Sequence, residues 1–544
     1  MNLRPELSGY LEQRLAAFAQ GFRHNLVLIG PAGSGKTYQI QHLLAKAPAR
    51  LSLIYCPIYR ESCRSFLNRF ACSILRSCVE GRGSETLDEL LLLARERFPR
   101  TVEAIAAIEP LLARRSFAEA LNRTLDVIPI LIEERRQPAV IILDEFLLLE
   151  DLGLGHVFHE LGKRVMIWPS ALFILTSSSP YRARLILRER LQLLFGQFEL
   201  ISMEALDSAA TAVWLEEELS DFKGAEQMAP FLMRWLGSSP WYLCAMLERL
   251  KESLALRGTR TLTSDVLSET AWELLGRTQG PLHQWCLSRT ERLNHLRNGA
   301  RMMEVLIHVA CGARTLTEIG RRATKAGLSE MLQVLVEQDL VERRGTCWFI
   351  QDPVLRCWLS SVVLAQRGAG LPDEAAVRAR FSAFLSSFWK QWMEQRELSF
   401  ADQVALLFGR FQDDILLLDS KTGRLPRFRT IRMHTAGAPF GVYLLAEADG
   451  KSWCAAVMDA RVDENAVSRF DAFCRAQTPR PSRKVVVPRL GMEVNARLLA
   501  KAVNMWVWES QDWDVLLTLY GFVREEQVFE HENKNSCDIA PVGA

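Results

Sequence analysis

The stretch GPAGSGKT, residues Gly30 to Thr37, constrains this chain more than any other, because it stands between the apolar run NLVLI and the helical pattern YQIQHLLAKA. Glycines let backbone N–H groups turn inward round an anion. A lysine offers a mobile cation to the β and γ oxygens of a nucleotide, and a threonine offers a hydroxyl to Mg2+. Strand, loop and helix in that order are the context this chemistry requires. Gly30, Pro31, Ala32, Gly33, Ser34, Gly35, Lys36 and Thr37 are therefore expected to cradle ATP, with Thr37 as a metal ligand.

A parallel α/β sheet covered on both faces follows from the pattern of the first two hundred residues. Apolar runs at Leu26–Gly30, Leu51–Pro57, Ala139–Asp144, Ala171–Ser177 and Phe198–Ser202 alternate with helical segments. The stretch from Arg60 to Gln137 is long for one crossover and carries apolar residues at helical spacing, so it reads as added helices. The run AVIILDEF is a buried strand ending in Asp144 and Glu145. At the strand tip Asp144 is placed to hold Mg2+, and Glu145, one step on, to polarise the attacking water. A third strand, ALFILTSSSP, ends in hydroxyls beside the expected γ-phosphate, where Thr176 or Ser178 would sense it.

Composition limits the partners. Of 544 residues 24% are charged, yet the net charge is only +2, so no global basic field points to nucleic acid or to an anionic membrane. No apolar run reaches the ~18 residues of a membrane span, and MNLRPELSGYLEQRL puts charges where a signal peptide needs an apolar stretch. Twelve cysteines are scattered without a CxxC pair and with apolar neighbours, as suits buried thiols in a reducing compartment. His24, His156 and His159 form no metal-like cluster, although the last two share a face if that stretch is helical. The chain reads as cytoplasmic, with no membrane partner.

Beyond Met203 the pattern is helical to Arg292. MMEVLIHVA, TLTEIGRRA and SEMLQVLVEQDL then give three short helices, and VERRGTCWFI a β-hairpin, which is the order of a winged helix. Its third helix offers Gln333 and Gln338 but also Glu330, Glu337 and Asp339, and no lysine or arginine. Arg321, Arg322, Lys325 and the pair Arg343–Arg344 either touch a phosphate backbone or form a solvated face. LAQRGAGLPDE reads as a linker. After a bridging helix the last region mixes helices with the strands RFRTIRMH, GVYLLAE, SWCAAVMDA, KVVVP and NMWVWE.

The phosphate loop, ILDEF, FILTSSS and WLGSSPWYL together resemble the archaeal-type ATPases of the STAND branch of P-loop NTPases, relatives of the origin-recognition AAA+ proteins. WFIQDPVLRCWL fits the family's segment after the winged helix. The resemblance implies a helical lid whose glycine–proline motif, here Gly237 and Pro240, faces the nucleotide. Three departures stand out: no Arg-Glu box in LRPELSGYLEQ, Ser177 where relatives have glycine, and Gln197 where they have an arginine that neutralises transition-state charge. The last implies slow turnover, which Gln197→Arg should accelerate.

The last region resembles the restriction-endonuclease-like module, the PD-(D/E)xK fold, that follows the winged helix in many such ATPases: a helix with Asp402, the hairpin GVYLLAEADGKSWCAAVMDARV, then KVVVP. Live members hold Mg2+ on an acid of the first hairpin strand and on Glu-x-Lys of the second. Here the first acid aligns with Tyr443, with Glu447 and Asp449 nearer the turn, and the second strand reads Asp459-Ala460-Arg461. Asp459 retains a metal-binding group, but Arg461 stays protonated and does not replace a tunable lysine. This end is expected not to cut. KTGRLPRFRTIRMH, with Phe428 interleaved, and RAQTPRPSRKVVVPR are its densest basic stretches; they either bind nucleic acid or guard a strand edge.

The expected architecture is a multidomain α/β chain. It comprises a P-loop NTPase core at 1–202, a helical lid at 203–292 and a winged helix at 293–365. A linker and bridging helix at 366–395 lead to a degenerate nuclease-like mixed α/β domain at 396–528, and a disordered tail occupies 529–544. The expected role is a slowly hydrolysing ATP switch that couples nucleotide state to a protein or nucleic-acid partner, a protein being favoured. The rivals are a DNA-binding ATPase (nuclease effector or origin-type loader) and an ATP-stabilised scaffold that hardly hydrolyses. Homo-oligomerisation is compatible with each.

Overall fold

The computed structural model describes the chain except residues 1–2, 80–85, 190–197, 204, 324–325, 369–372, 420, 436–440 and 522–544. Gln197, Lys325 and the expected tail thus lie outside the described residues. Two compact units result, Met1–Ser220 with Leu236–Leu247, and Asp221–Trp235 with Glu248–Ala544.

In the first unit, β1 (Asn25–Ile29), β2 (Ser52–Pro57), β3 (Ala139–Asp144), β4 (Ala171–Ser177) and β5 (Phe198–Ser202) form one sheet in the order β2-β3-β4-β1-β5. Every neighbouring pair is parallel. Because side chains alternate along a strand, each central strand feeds two cores. Leu26, Leu28, Val140 and Ile142 pack with Leu11, Leu15 and Ile40 of helices Pro5–Phe18 and Lys36–Lys46. Val27, Ile29, Ile141 and Phe173 pack on the other face with Phe66, Phe70 and Leu125 from helices Cys63–Arg76 and Phe117–Arg135. Central strands buried on both faces read as continuous apolar runs for this reason. Among the described residues the long crossover holds five helices, from Cys63 to Arg135.

The first strand stops at Ile29 and not at Gly30. A β-carbon on Gly30 would overlap the carbonyl oxygen of Met203, whose N–H bonds to Ile29 O at 2.6 Å. Gly30 therefore belongs to the loop, where only glycine fits.

The second unit contains helices Gly299–Ala310, Leu316–Arg322 and Leu328–Glu337, followed by the hairpin of β6 (Glu342–Arg344) and β7 (Cys347–Phe349). A long helix, Glu374–Arg396, leads to a second hairpin, β8 (Asp414–Leu418) with β9 (Lys421–Leu425). The last sheet runs β10-β11-β12-β13-β14, from β10 (Thr430–Thr435), β11 (Val442–Ala448), β12 (Lys451–Met458), β13 (Arg483–Pro488) and β14 (Trp506–Val507). Its first two pairings are antiparallel and its last two parallel.

Two sequence expectations change here. The strand expected at RFRTIRMH begins only at Thr430, and the longer basic stretch KTGRLPRFRTIRMH divides between two strands. It breaks at Pro426, which lacks an N–H for a ladder, and β9 pairs with β8 while β10 pairs with β11. Phe428 is not available for stacking on bases, because it is buried among Phe408, Phe411 and Trp453. The β8–β9 hairpin itself had no reading from the sequence.

Among the described residues no helix is long and apolar enough to cross a membrane, and the described cysteines are free, with Cys56, Cys286, Cys347 and Cys357 buried.

Candidate functional site

The helix Lys36–Lys46 begins without a side-chain cap and without an acid in its first turn; its N-cap is Gly35, left-handed at φ 92°. Its first N–H groups therefore lack the side-chain acceptor that Ser62, Thr86 or Asp207 gives to other helices, and with the macrodipole they form an anion-binding end. Gly33 is also left-handed, at φ 79°. Lys36, only 5% exposed, donates from Nζ to Gly30 O at 2.9 Å and Pro31 O at 3.0 Å. Its cation is thus held inside the loop.

Asp144 ends β3 and is 5% exposed. Its carboxylate collects hydroxyls from three elements. Thr37 Oγ1 donates to Oδ2 at 3.1 Å, Tyr55 Oη donates to the same oxygen at 2.9 Å, and Thr176 Oγ1 donates to Oδ1. No cation is bonded to this carboxylate among the described residues, and a cluster of hard oxygens of this kind suits Mg2+. The loop, its uncapped helix and this cluster fit Mg-ATP, whose metal Thr37 and Asp144 would hold.

Glu145 is left-handed at φ 62°, a backbone state that costs a non-glycine residue on the order of 1 kcal/mol. Its neighbours hold it there. Its N–H donates to Thr176 Oγ1 at 3.0 Å, and its carboxylate accepts the Ser178 N–H at 2.9 Å and the Ser178 hydroxyl. Thr176 therefore contacts both acids, and Ser178 latches the second. The structure brings together Lys36, Thr37, Asp144, Glu145, Thr176 and Ser178.

Pro240 opens the helix Pro240–Leu256. The turn before it includes Gly237 at φ 69°, and Leu206 N–H bonds to Ser238 O at 3.0 Å. A β-carbon on Gly33 would lie 3.1 Å from Cβ of Trp241, so this segment rests directly on the phosphate loop.

Tyr55 is the site residue that the sequence reading missed. Its signal is not local: it faces Asp144 only because β2 pairs with β3, Cys56 opposite Leu143 and Pro57 opposite Asp144. Burial, and then the Asp144 carboxylate, push its hydroxyl well above the usual tyrosine range, so it remains a donor.

The acids of the second unit are arranged differently. Glu447 sits opposite Ser452 near the β11–β12 turn and accepts from Thr430, while Asp449 pairs with Arg429 at 2.6 Å. Asp459 lies past the other end of β12 and pairs with Arg489 at 3.4 Å. Seven residues of strand separate Ser452 from Asp459, roughly 23 Å, so these acids cannot share a metal. Tyr443 stacks on His434 and meets Phe473 edge-on. Asp402 lies in the first turn of helix Phe400–Phe408, its N–H capped by Ser399 at 3.1 Å. Among the described residues no group of three or more His, Cys, Asp or Glu side chains is placed to hold a metal.

Residues 5–164 match the AAA ATPase domain family. No curated protein matches the chain. Among solved structures the chain is similar to the Walker-type ATPase PABY2304 of Pyrococcus abyssi, at 15% identity over 65% of this chain and 95% of that one, with a TM-score of 0.44. It is also similar to the Aeropyrum pernix ORC2 protein in its ADPNP-ADP complexes, at 14% identity over 68% and 96%, with a TM-score of 0.42. A third is the Thermotoga maritima RuvB Holliday junction branch migration motor, at 14% identity over 64% and 91%, with a TM-score of 0.30. The match over residues 5–164 and the parallel five-stranded sheet agree on a P-loop ATPase fold for the first unit.

Proposed function

We propose that the chain is a slowly hydrolysing ATP switch of the cytoplasm that acts on a protein partner. The observation that carries this reading is the Asp144 carboxylate, which gathers Thr37, Tyr55 and Thr176 beside a latched Glu145. Lys36 and the loop amides bind the β and γ phosphates. Thr37 and Asp144 hold Mg2+, which when bound neutralises charge on the phosphate oxygens. Glu145 then orients the attacking water and takes its proton. To do so it must let go of Ser178, and Thr176 couples that release to Asp144. Two features thus favour slow turnover: the latch on Glu145, and Gln197 in place of an arginine. The segment at Gly237 and Pro240 serves as the lid that senses the nucleotide.

In the second unit we read the three helices and β6–β7 as a winged helix, and the last sheet as a degenerate nuclease-like domain. A protein-directed role is favoured because the wing is occupied. Thr346 N–H bonds to Ile415 O at 2.8 Å, Ile415 N–H bonds back to Thr346 Oγ1 at 3.1 Å, and a β-carbon on Gly345 would overlap Ile415 O. A turn seated this closely on the β8 backbone is not free to enter a DNA groove. The wing arginines are also engaged, Arg343 over Trp348 and Arg344 with Glu342.

The DNA-binding reading draws on Arg427 and Arg432, both exposed on the chain leading into and along the edge strand β10. Most neighbouring cations are committed elsewhere: Lys421 to Met505 O, Arg424 to Asp413, Lys484 to Asp471 and Arg483 over Trp506.

Steady-state ATP hydrolysis with and without duplex DNA at physiological salt separates the readings, with Lys36→Ala and Glu145→Gln as controls. A slow rate, indifferent to DNA and lost in both variants, is expected. Strong stimulation by DNA would replace the protein-directed switch with a DNA-coupled ATPase, and no hydrolysis would leave the scaffold.

A further inference from the structure

The second unit contains a cavity of 530 Å3 bounded by the end of helix Gly299–Ala310, by β7 and by helix Glu374–Arg396. Cavities of about 300–1,000 Å3 accommodate small organic ligands. Three arginines line this one, Arg314, Arg356 and Arg380, and among the described residues no aspartate or glutamate does. The remaining wall is largely apolar, with Phe349 and Phe384 among its aromatic faces.

These charges are built into the fold. Arg314 has a side chain only 5% exposed; it pairs with Asp414 at 3.1 Å and lies over the Tyr520 ring, yet its Nε is buried without a hydrogen-bond partner. Arg356 donates to Thr518 O at 3.3 Å. Burial, and then the charge of Arg234, push the Arg356 guanidinium down to about 10, so it is still a cation at neutral pH. The charge of Asp352 offsets part of this, and its Oδ1 also accepts the N–H groups of Val354 and Leu355 as a helix cap. A cavity lined by three guanidinium groups and, among the described residues, by no carboxylate presents a positive surface that favours an anionic guest. Planar guanidinium groups also match a carboxylate or phosphate in geometry.

We propose that this cavity binds a small organic anion with an aromatic body, the acidic group held by Arg356 and its neighbouring arginines and the rings lying against Phe349 and Phe384. The site is independent of the phosphate loop, which lies in the other unit.

The test uses the full chain and the fluorescent probe 8-anilinonaphthalene-1-sulfonate, with its uncharged counterpart N-phenyl-1-naphthylamine alongside. Saturable sulfonate binding near one per chain is expected, about tenfold tighter than the neutral probe. Arg356→Gln should weaken the sulfonate about tenfold or more and leave the neutral probe nearly unchanged. Ala383→Trp, on the exposed face of the long helix that lines the cavity, should block both probes by filling space; it decides the matter if Arg356→Gln does not fold, as judged by its melting curve. Absence of saturable binding, or binding indifferent to Ala383→Trp, or equal affinity for both probes, overturns the proposal.

Discussion

The two sheets of this protein use the same kinds of side chain to opposite ends. At the tip of β3 one carboxylate, Asp144, meets hydroxyls from the phosphate-loop helix, from β2 and from β4, and no guanidinium. Around the second sheet three acids already have cations, Asp449 with Arg429, Asp459 with Arg489 and Asp471 with Arg475 and Lys484, while Glu447 accepts from the Thr430 hydroxyl. A carboxylate surrounded by neutral donors still carries its charge and can take a metal. One paired with arginine is neutralised and serves as a fastening. Chemistry is therefore marked by convergence on an uncompensated charge, and the acid's identity alone does not reveal it.

The largest effect comes from a buried convergence in the second unit. Arg314, Tyr520 and Asp414 form a buried cluster in which Tyr520 donates to Asp414 at 2.6 Å. Asp414→Ala would strand Arg314 and should cost about 3–5 kcal/mol, read as a lower urea midpoint, with ATP hydrolysis by the first unit retained. A shift within error would show that Arg314 does not depend on Asp414 as its counter-charge. Next, Asp144→Ala should lower Mg-dependent hydrolysis roughly 100-fold or more, whereas Asp459→Ala should change neither hydrolysis nor melting. Equal effects of the two would erase the contrast between the sheets.

A smaller effect tests the latch. Ser178→Ala removes the hydroxyl that holds Glu145 but keeps the backbone N–H, and the single-turnover rate should rise a few-fold; a fall would make Ser178 a participant in the chemistry. The smallest concerns Tyr55. Burial, then Asp144, raise its folded value above the ordinary tyrosine range, so its contribution to stability is fully present below pH ~10 and lost as pH rises through the folded value. Tyr55→Phe should lack that alkaline loss, measured by urea unfolding between pH 8 and 11, and an unchanged profile would place the hydroxyl in solvent.

The first unit was legible in the sequence because its signals are local. The loop carries its own glycines, and the five strands are apolar runs of ordinary length; only single-residue ends moved, such as Gly30, which Met203 excludes from the strand. Thr176 and Ser178 were readable as hydroxyls at a strand end, although their division of labour, one on both acids and one on Glu145, depended on strand order. Tyr55 was invisible for the same reason. In the second unit the order of helices and hairpin could be read, but β8 and β9 could not, since Asp414–Leu425 holds charges and a glycine where a strand pattern was sought. Phe428 misled because the arginines around it hid a residue that packs inward.

Hydrolysis is predicted to depend on Glu145 above all. Single-turnover hydrolysis of Mg-ATP by the wild type and by Glu145→Gln, with nucleotide affinity measured on the same samples, is the direct test. The predicted result is affinity unchanged within a few-fold and hydrolysis at least about 100-fold slower in the variant. Equal hydrolysis rates in the two proteins would contradict it and move the catalytic base elsewhere.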